Sequence, residues 1–390
     1  MNSFEIIKGQ GGIGRQMSGK DHVCGLLVFM PEDDAQRHTE VVAFGAYNEC
    51  EDAYGGESGI GYKVLLYQLS EIFRINSGAK VWVKIASAGS ESPYDDADLS
   101  LVKALQEAAS GECRQIGVWN GFATGSMADL QLLQNAASEL EAVGSPCSIV
   151  YASGGDTTSW VQTATFKRTA GYSNVSWLIG QDLTVGSKAA EIAATENAPA
   201  VSALGALMGC LSKAAVNESI AWVAKFNVGY ESVGFVDKKS NAQVGRGNMD
   251  TLDSKGFIFL TTYDGLTGSY FQDSHTMDVE TSDYATIENE RAIDKACRGV
   301  RTYLLPYLAS PIYISEDGTM RADSLAVLKN EASRALEAME RAGELSGYKV
   351  EIDPEQNVLA NSTVEFVIKN VAVGVMRHIK VKIGYTTSID

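Results

Sequence analysis

Two hydrophobic periods alternate along the chain from residue 23 to residue 263, and this alternation constrains the fold more than any other feature. Residues 23–30 form an unbroken apolar run closed by Pro31, the pattern of a strand buried on both faces. Residues 41–44 predict another strand. Over 62–73, Val64, Leu65, Leu69 and Phe73 recur at helical spacing; after a turn at Asn76, Ser77 and Gly78, Val81, Val83 and Ile85 alternate as a strand over 80–86. The alternation continues as helix 99–109, strand 115–119, helix 126–143, strand 147–151 and strand 175–179. Helices of this length between strands predict an α/β (α+β) chain, a sheet with helices packed on its faces. Residues 201–215 predict a small-residue helix, 237–255 a long polar loop and 256–263 a strong β run.

The last third changes character. Residues 285–308 predict a long charged amphipathic helix stopped by Pro306 and Pro311, and 322–342 a second one. In the second, Leu325, Leu328, Ala332, Leu336 and Met339 share a face, and Gly343 lies near its end. Three strands follow, over 348–352, 364–371 and 375–385. In the last, Ile379, Val381, Ile383 and Tyr385 face one way, and His378, Lys380 and Lys382 the other.

The 390 residues carry 49 acidic and 32 basic side chains, a net charge of −17. That balance argues against nucleic acid or an anionic membrane as a broad partner, because either needs a cationic face. The charge is uneven. Lys8, Arg15 and Lys20 against Glu5 leave residues 1–20 at +2, and residues 362–390 also sum to +2, so the stretch between holds −21. The ends are either solvated termini or pair with acidic surfaces. The longest uncharged run, 197–212, is 16 residues and contains Asn, Pro and Ser, too short and polar to span a bilayer. Six cysteines lie far apart, at 24, 50, 113, 147, 210 and 297, which suits reduced buried thiols. The first residues lack the apolar stretch of a signal peptide. A soluble acidic protein made inside a cell is expected.

Motifs for chemistry are weak. Gly9, Gly11 and Gly14 satisfy GxGxxG, but a dinucleotide fingerprint needs a helix to open there, and a strand at 23–30 follows instead. Gly14, Gly19 and Lys20 approach a phosphate-binding loop, but Asp21 stands where Ser or Thr would hold magnesium and would repel phosphate. A glycine-rich flexible arm accounts for this stretch better. The four histidines include no helical metal pair, and no GxSxG is present. The pairs Asp33–Asp34 and Asp95–Asp96 fall in loop-like contexts that suggest surface charge, and the five tryptophans fall mostly in apolar, core-like contexts. No catalytic residue, metal or cofactor is expected.

The two ends pose a physical problem. Phe4, Ile6 and Ile7 at one end, and Ile379, Val381 and Ile383 at the other, form strand-like segments whose backbones need partners. Either they fold back onto their own sheet, or they add to a neighbouring copy, a head-to-tail contact that propagates as a helix unless it closes. Hinges at residues 9–19 and at Asn361–Ser362 would allow the second arrangement.

The order of these segments resembles the contractile tail sheath proteins of phages and phage-like injection particles. Residues 290–306 look like the sheath helix before its variable turn. Residues 336–350 are similar to the family's passage of helix, Gly, Leu and strand, and 353–359 to its Asn-containing turn. Residues 371–383, with Val373, Gly374 and Val375 as the turn, resemble its terminal strand pair. A looser match covers 40–90, while 91–270 matches no common sheath pattern. The resemblance implies an N-terminal linker arm (1–22), an α/β body (23–270), a C-terminal sheath domain (271–361) and a C-terminal β arm (362–390). It further implies a helical homopolymer around an inner tail tube protein, linked by strand exchange through both arms, with Phe4, Ile6, Ile7, Ile379, Lys380, Val381, Lys382 and Ile383 as arm residues. Contraction would drive the tube through a target envelope. Baseplate and tail terminator proteins would be further partners, with assembly in a bacterial cytoplasm before residence in the particle tail. Lys329, Arg334, Glu337 and Arg341, on the second amphipathic helix, are candidates for the tube side. Two other readings remain open: a nucleotide-binding α/β enzyme using Gly9–Lys20, and another tube or baseplate structural protein.

Overall fold

The computed structural model describes residues 20–87, 96–316 and 318–385. Its centre is a seven-stranded sheet with the order β2-β3-β1-β4-β5-β6-β9. The strands are β1 (Val23–Met30), β2 (Val42–Phe44), β3 (Lys80–Ser87), β4 (Gln115–Thr124), β5 (Ser148–Gly154), β6 (Val175–Leu178) and β9 (Phe257–Ile258). All neighbours run parallel except β2, which is antiparallel to β3. Both edge strands are short, three residues in β2 and two in β9. Two short antiparallel pairs sit beside the sheet: β7 (Gly180–Asp182) with β8 (Val233–Phe235), and β10 (Leu260–Thr261) with β11 (Tyr270–Phe271).

Burial on both faces explains why β1 is apolar without alternation: every residue of it is buried. Cys24, Leu26, Val28 and Met30 belong to a core with the helices Ile60–Ile75 and Leu204–Lys213; Val23, Leu27 and Phe29 face the helices Asp96–Ala108 and Met127–Ala142. The helix expected from residue 126 uses Ser126 as its cap. Ser126 Oγ accepts from Asp129 N while Asp129 returns a carboxylate oxygen to Ser126 N, a reciprocal capping box.

The small residues expected over 201–215 have a packing reason. A Cβ built on Gly205 would lie 2.2 Å from the carbonyl oxygen of Gln68, and one on Gly209 3.0 Å from Ile75 Cβ. The helices Leu204–Lys213 and Ile60–Ile75 therefore meet backbone to backbone, and the Gln68 side chain ties them by accepting from Gly205 N and donating to Ser202 O.

Several expectations are corrected. The polar stretch 237–255 contains two helices, Asn241–Val244 and Arg246–Ser254; each buries one residue, Val244 and Leu252, which leaves no apolar periodicity to detect. The β run over 256–263 breaks into β9 and β10, because Phe259 N donates to the Gln272 side chain. Asp33 and Asp34 occupy one helical turn, Glu32–Ala35, instead of a loop; Asp96 starts a helix, and Asp95 lies outside the described residues. Trp222 is 50% exposed beneath Lys225, and Trp82 is half-buried, so these two are not core. Cys297 is exposed, whereas the other five thiols are buried.

Beyond the sheet, Ile287–Leu304 forms a connector helix and Ala322–Arg341 an outer helix; β12 (Gly347–Glu351) and β13 (Val367–Val371) then pair antiparallel. Ala292 and Ala296 on the connector pack with Ala332, Leu336 and Met339 on the outer helix, and with Val350 of β12. A Cβ on Gly299 would come within 2.7 Å of Ala335 Cβ, so these helices also touch closely.

Replacing Gly205 by Ala should force the two body helices apart and lower stability by about 1–3 kcal/mol, the usual cost of overpacking. A urea unfolding midpoint shifted downward at constant slope would show it.

Candidate assembly site

The connector helix lies across the N-terminal edge of the parallel sheet, since its partners are residues just before the strands. Lys295 Nζ is 2.7 Å from Asp21 Oδ2 and also reaches Glu344; Arg298 donates to Pro146 O at 3.0 Å; Glu290 accepts from Asn174. Arg291, 2% exposed, donates to Leu211 O at 2.9 Å and Ala214 O at 3.3 Å, satisfying carbonyls that the end of the helix Leu204–Lys213 leaves open. One side of the connector is thus charged and buried on the body, and the other is apolar and faces the outer helix. Burial is the main cause that raises the Glu290 carboxyl, reinforced by Asp294, Glu141 and Asp278. Asp294 is raised by burial too, against the pull of Arg298.

The sheet of β12 and β13 has two strands only, so both outer edges are unpaired among the described residues. Phe366 and Ile368 turn inward against the small core, while Val367 and Val371 are exposed. The chain after Val371 forms no strand through Tyr385, which corrects the expectation for 375–385, and β13 pairs within its own chain, so the unpaired stretch begins at Ala372 instead of residue 362. Met376 (77%), Ile379 (72%), Val381 (71%) and Ile383 (92%) are exposed, and Lys380 and Lys382 form no ion pair among the described residues. An alternating strand sequence without a ladder partner has nothing to bury its apolar side against, which is why it stays irregular.

The sequence-expected residues fall into three sets. Phe4, Ile6 and Ile7, with the whole Gly9–Gly19 stretch, lie outside the described residues. Ile379, Lys380, Val381, Lys382 and Ile383 stand together on the unpaired arm. Lys329, Arg334, Glu337 and Arg341 share the solvent side of the outer helix, where Arg334 pairs with Glu331 and covers the Tyr303 ring at 4.8 Å, and Arg341 pairs with Glu337. Asn361 and Ser362, expected as a hinge, form a corner that feeds straight into β13, with Ser362 left-handed at φ 50°. Sequence reading missed one contact entirely: Arg377, on the arm, reaches Asp273, Ser274 and Glu288 about a hundred residues upstream.

The crevice at the carboxyl ends of β1 and β4, where a doubly wound sheet would take a ligand, is filled by the chain itself. Ala200 N donates to Gly121 O, and Ala203 N to Gly180 O; a Cβ on Gly121 would strike Ala200 O at 2.3 Å, and one on Gly61 would strike Met30. Lys20, which the nucleotide reading needs, pairs with Glu112. Among the described residues, no group of three or more His, Cys, Asp or Glu could hold a metal ion, and no helix is long and apolar enough to cross a membrane.

This architecture is found in solved components of contractile particles. A chain in the anti-feeding prophage baseplate is 13% identical and superposes with a TM-score of 0.65, covering 99% of this chain and 100% of that one. A chain of the PVC sheath complex, an extracellular contractile injection system in the contracted state, is 10% identical with a TM-score of 0.63, covering 99% and 98%. The sheath tail protein from Desulfitobacterium hafniense is 9% identical with a TM-score of 0.51, covering 95% and 100%. The fold is therefore the contractile-particle sheath fold that the sequence resembled. The chain belongs to the DUF2586 family: its N-terminal domain model matches residues 1–275 and its C-terminal domain model residues 283–390. No curated protein sequence matches the chain.

The raised carboxyls give a pH prediction. Folded Glu290 and Asp294 keep protons that the unfolded chain releases above about pH 4.5, so the native state binds more protons and stability falls with rising pH. Their contribution is complete below that pH and is lost as pH rises through the folded values. Glu290→Gln should therefore flatten the fall of the urea midpoint between about pH 5 and 9, and stabilise the protein most at the alkaline end.

Proposed function

We propose that this chain is the structural subunit of a contractile tail sheath. Copies polymerise helically around an inner tube, each joined to its neighbours by strand addition through its terminal arms, and the lattice shortens to drive the tube through a target envelope. The observation that carries this reading is the coexistence, on one chain, of a two-stranded sheet with open edges and an unpaired arm of alternating Ile379, Val381 and Ile383. An open edge and a loose strand satisfy each other between copies, and a head-to-tail exchange that does not close a ring extends into a helix. The likeness in fold to sheath and baseplate chains supports the same reading.

In the assembled lattice residues 1–22 and the C-terminal arm serve as links, while the body of residues 23–270 and the unit built on residues 271–361 move as packed bodies. Links that persist while body contacts improve keep the polymer continuous during a large rearrangement. Lys329, Arg334, Glu337 and Arg341 present a mixed-charge helix face suited to the tube. Inner tube, baseplate and tail terminator proteins are the other partners, with assembly in the bacterial cytoplasm before the subunit resides in the particle tail. The packed crevice at the strand ends and the engaged Lys20 favour this structural role over a nucleotide-binding enzyme.

Deleting residues 378–390, which leaves Arg377 in place, should give a folded monomer that forms no tubes in negative-stain images; tubes from the deleted protein would refute strand donation. Reversing Lys380 and Lys382 to Glu should weaken tube formation at low salt, with the deficit shrinking once the Debye length falls to about 3 Å near 1 M salt. Equal assembly of both proteins at low salt would rule out an acidic docking surface for the arm.

A further inference from the structure

Past the half-buried Val373 and Val375, the C-terminal arm is tied to the rest of the described chain by the side chain of Arg377. Arg377 Nε donates to Asp273 Oδ1 at 2.9 Å and Oδ2 at 3.1 Å, and Arg377 Nη2 donates to Ser274 Oγ at 3.2 Å and to Glu288. The Arg377 side chain is 29% exposed, whereas Met376 and Ile379 on either side are exposed and form no such polar contacts among the described residues. Its socket is built from two separate elements: the turn after β11, which supplies Asp273 and Ser274, and the first turn of the connector helix, which supplies Glu288. Ser274 N donates to Asp273 Oδ1 at 2.7 Å, and Ser274 Oγ to Glu288 Oε2 at 2.5 Å, so the two acids are held in register.

Glu288 makes this contact hard to give up. It is 2% exposed, and its ion-pair partner among the described residues is Arg377. Withdrawing the guanidinium would leave a buried carboxylate whose side-chain hydrogen-bond donor among the described residues is the Ser274 hydroxyl, the situation in which breaking an ion pair costs far more than forming it gains. The planar fork of arginine suits two acids and a hydroxyl at once, a geometry lysine does not reproduce.

We propose that Arg377 is a cis anchor that fixes the root of the C-terminal arm to its own subunit, where the body meets the connector helix, so that the arm pivots at His378. Residues 372–377 then return to that junction in every copy, and only the alternating residues beyond them are free to reach a neighbour. This places the pivot well past the Asn361–Ser362 corner, and beside the junction where the connector helix meets the body. Arg377 acts as a positioning residue: it sets where and in which direction the donated strand leaves. The inference rests on the strand-donation reading for its purpose, but the anchor itself is testable without assembly.

Trypsin must draw an arginine side chain out of its contacts to cut after it, whereas Lys380 and Lys382 are free. In dilute full-length protein, followed by mass spectrometry, cleavage after Arg377 should be at least about tenfold slower than after the two lysines. Asp273→Asn, the milder change, and Glu288→Gln should each raise the Arg377 rate selectively, with circular dichroism confirming that the fold is kept. Cleavage after Arg377 as fast as after the lysines, or a rate insensitive to both variants, would overturn the anchor. In assembly, Arg377→Ala should form tubes only at a higher protein concentration, with Arg377→Lys recovering part of the loss. A threshold that is unchanged or lowered contradicts the anchor. Tubes formed without residues 378–390 would instead sink strand donation and leave the trypsin result to judge the anchor alone.

Discussion

Arg291 is the contact on which the far half of the molecule depends. Parallel strands that all start on one side leave a row of loop ends and helix carboxyl ends there, rich in carbonyl oxygens that need donors. The connector helix answers that need with charged side chains, Arg291 on the carbonyls of Leu211 and Ala214 and Arg298 on that of Pro146, while Lys295 pairs with the Asp21 carboxylate just before β1. Arg291 is buried and the other two donors are half-buried, and Glu290 and Asp294, buried on the same helix, bear the cost of that burial in raised proton affinity. The same helix offers Ala292, Ala296 and Gly299 to the outer helix. Polar attachment on one side and close apolar packing on the other make the connector the main joint between body and C-terminal unit, with Val216 and the Asn217–Gly343 hydrogen bond adding a second contact.

Much of the α/β body was legible in sequence, for a clear physical reason. β1, β3, β4 and β5 are buried on at least one face, so their apolar spacing is dictated by the sheet, and the helices over them show the matching 3.6-residue period. Where burial is slight, that signal vanishes. The helices Asn241–Val244 and Arg246–Ser254 each hide one side chain, and their caps are local polar contacts that look like loop chemistry. The alternation over 375–385 was visible, but a strand pattern specifies a face to be covered and does not say which chain covers it.

The candidate assembly site was legible only in part. Exposed Ile379, Val381 and Ile383 could be named from alternation, as could the charged side of the outer helix. The Arg377 socket could not, because Asp273 and Glu288 are ordinary acids in a chain with 49 of them, and nothing local marks two as buried. Tertiary folding alone brings residues 273, 288 and 377 together. Their convergence also explains how a chain can be ordered through its C-terminal unit and loose a few residues later.

The two edges of the large sheet carry a further consequence. With three residues in β2 and two in β9, neither border is long enough to zip onto a foreign strand. In the proposed polymer, bodies in adjoining copies would slide and re-seat against one another without fusing their sheets, and the terminal arms would carry the links. Such a lattice divides its labour by construction: the broad surfaces stay slippery, and the seams sit elsewhere.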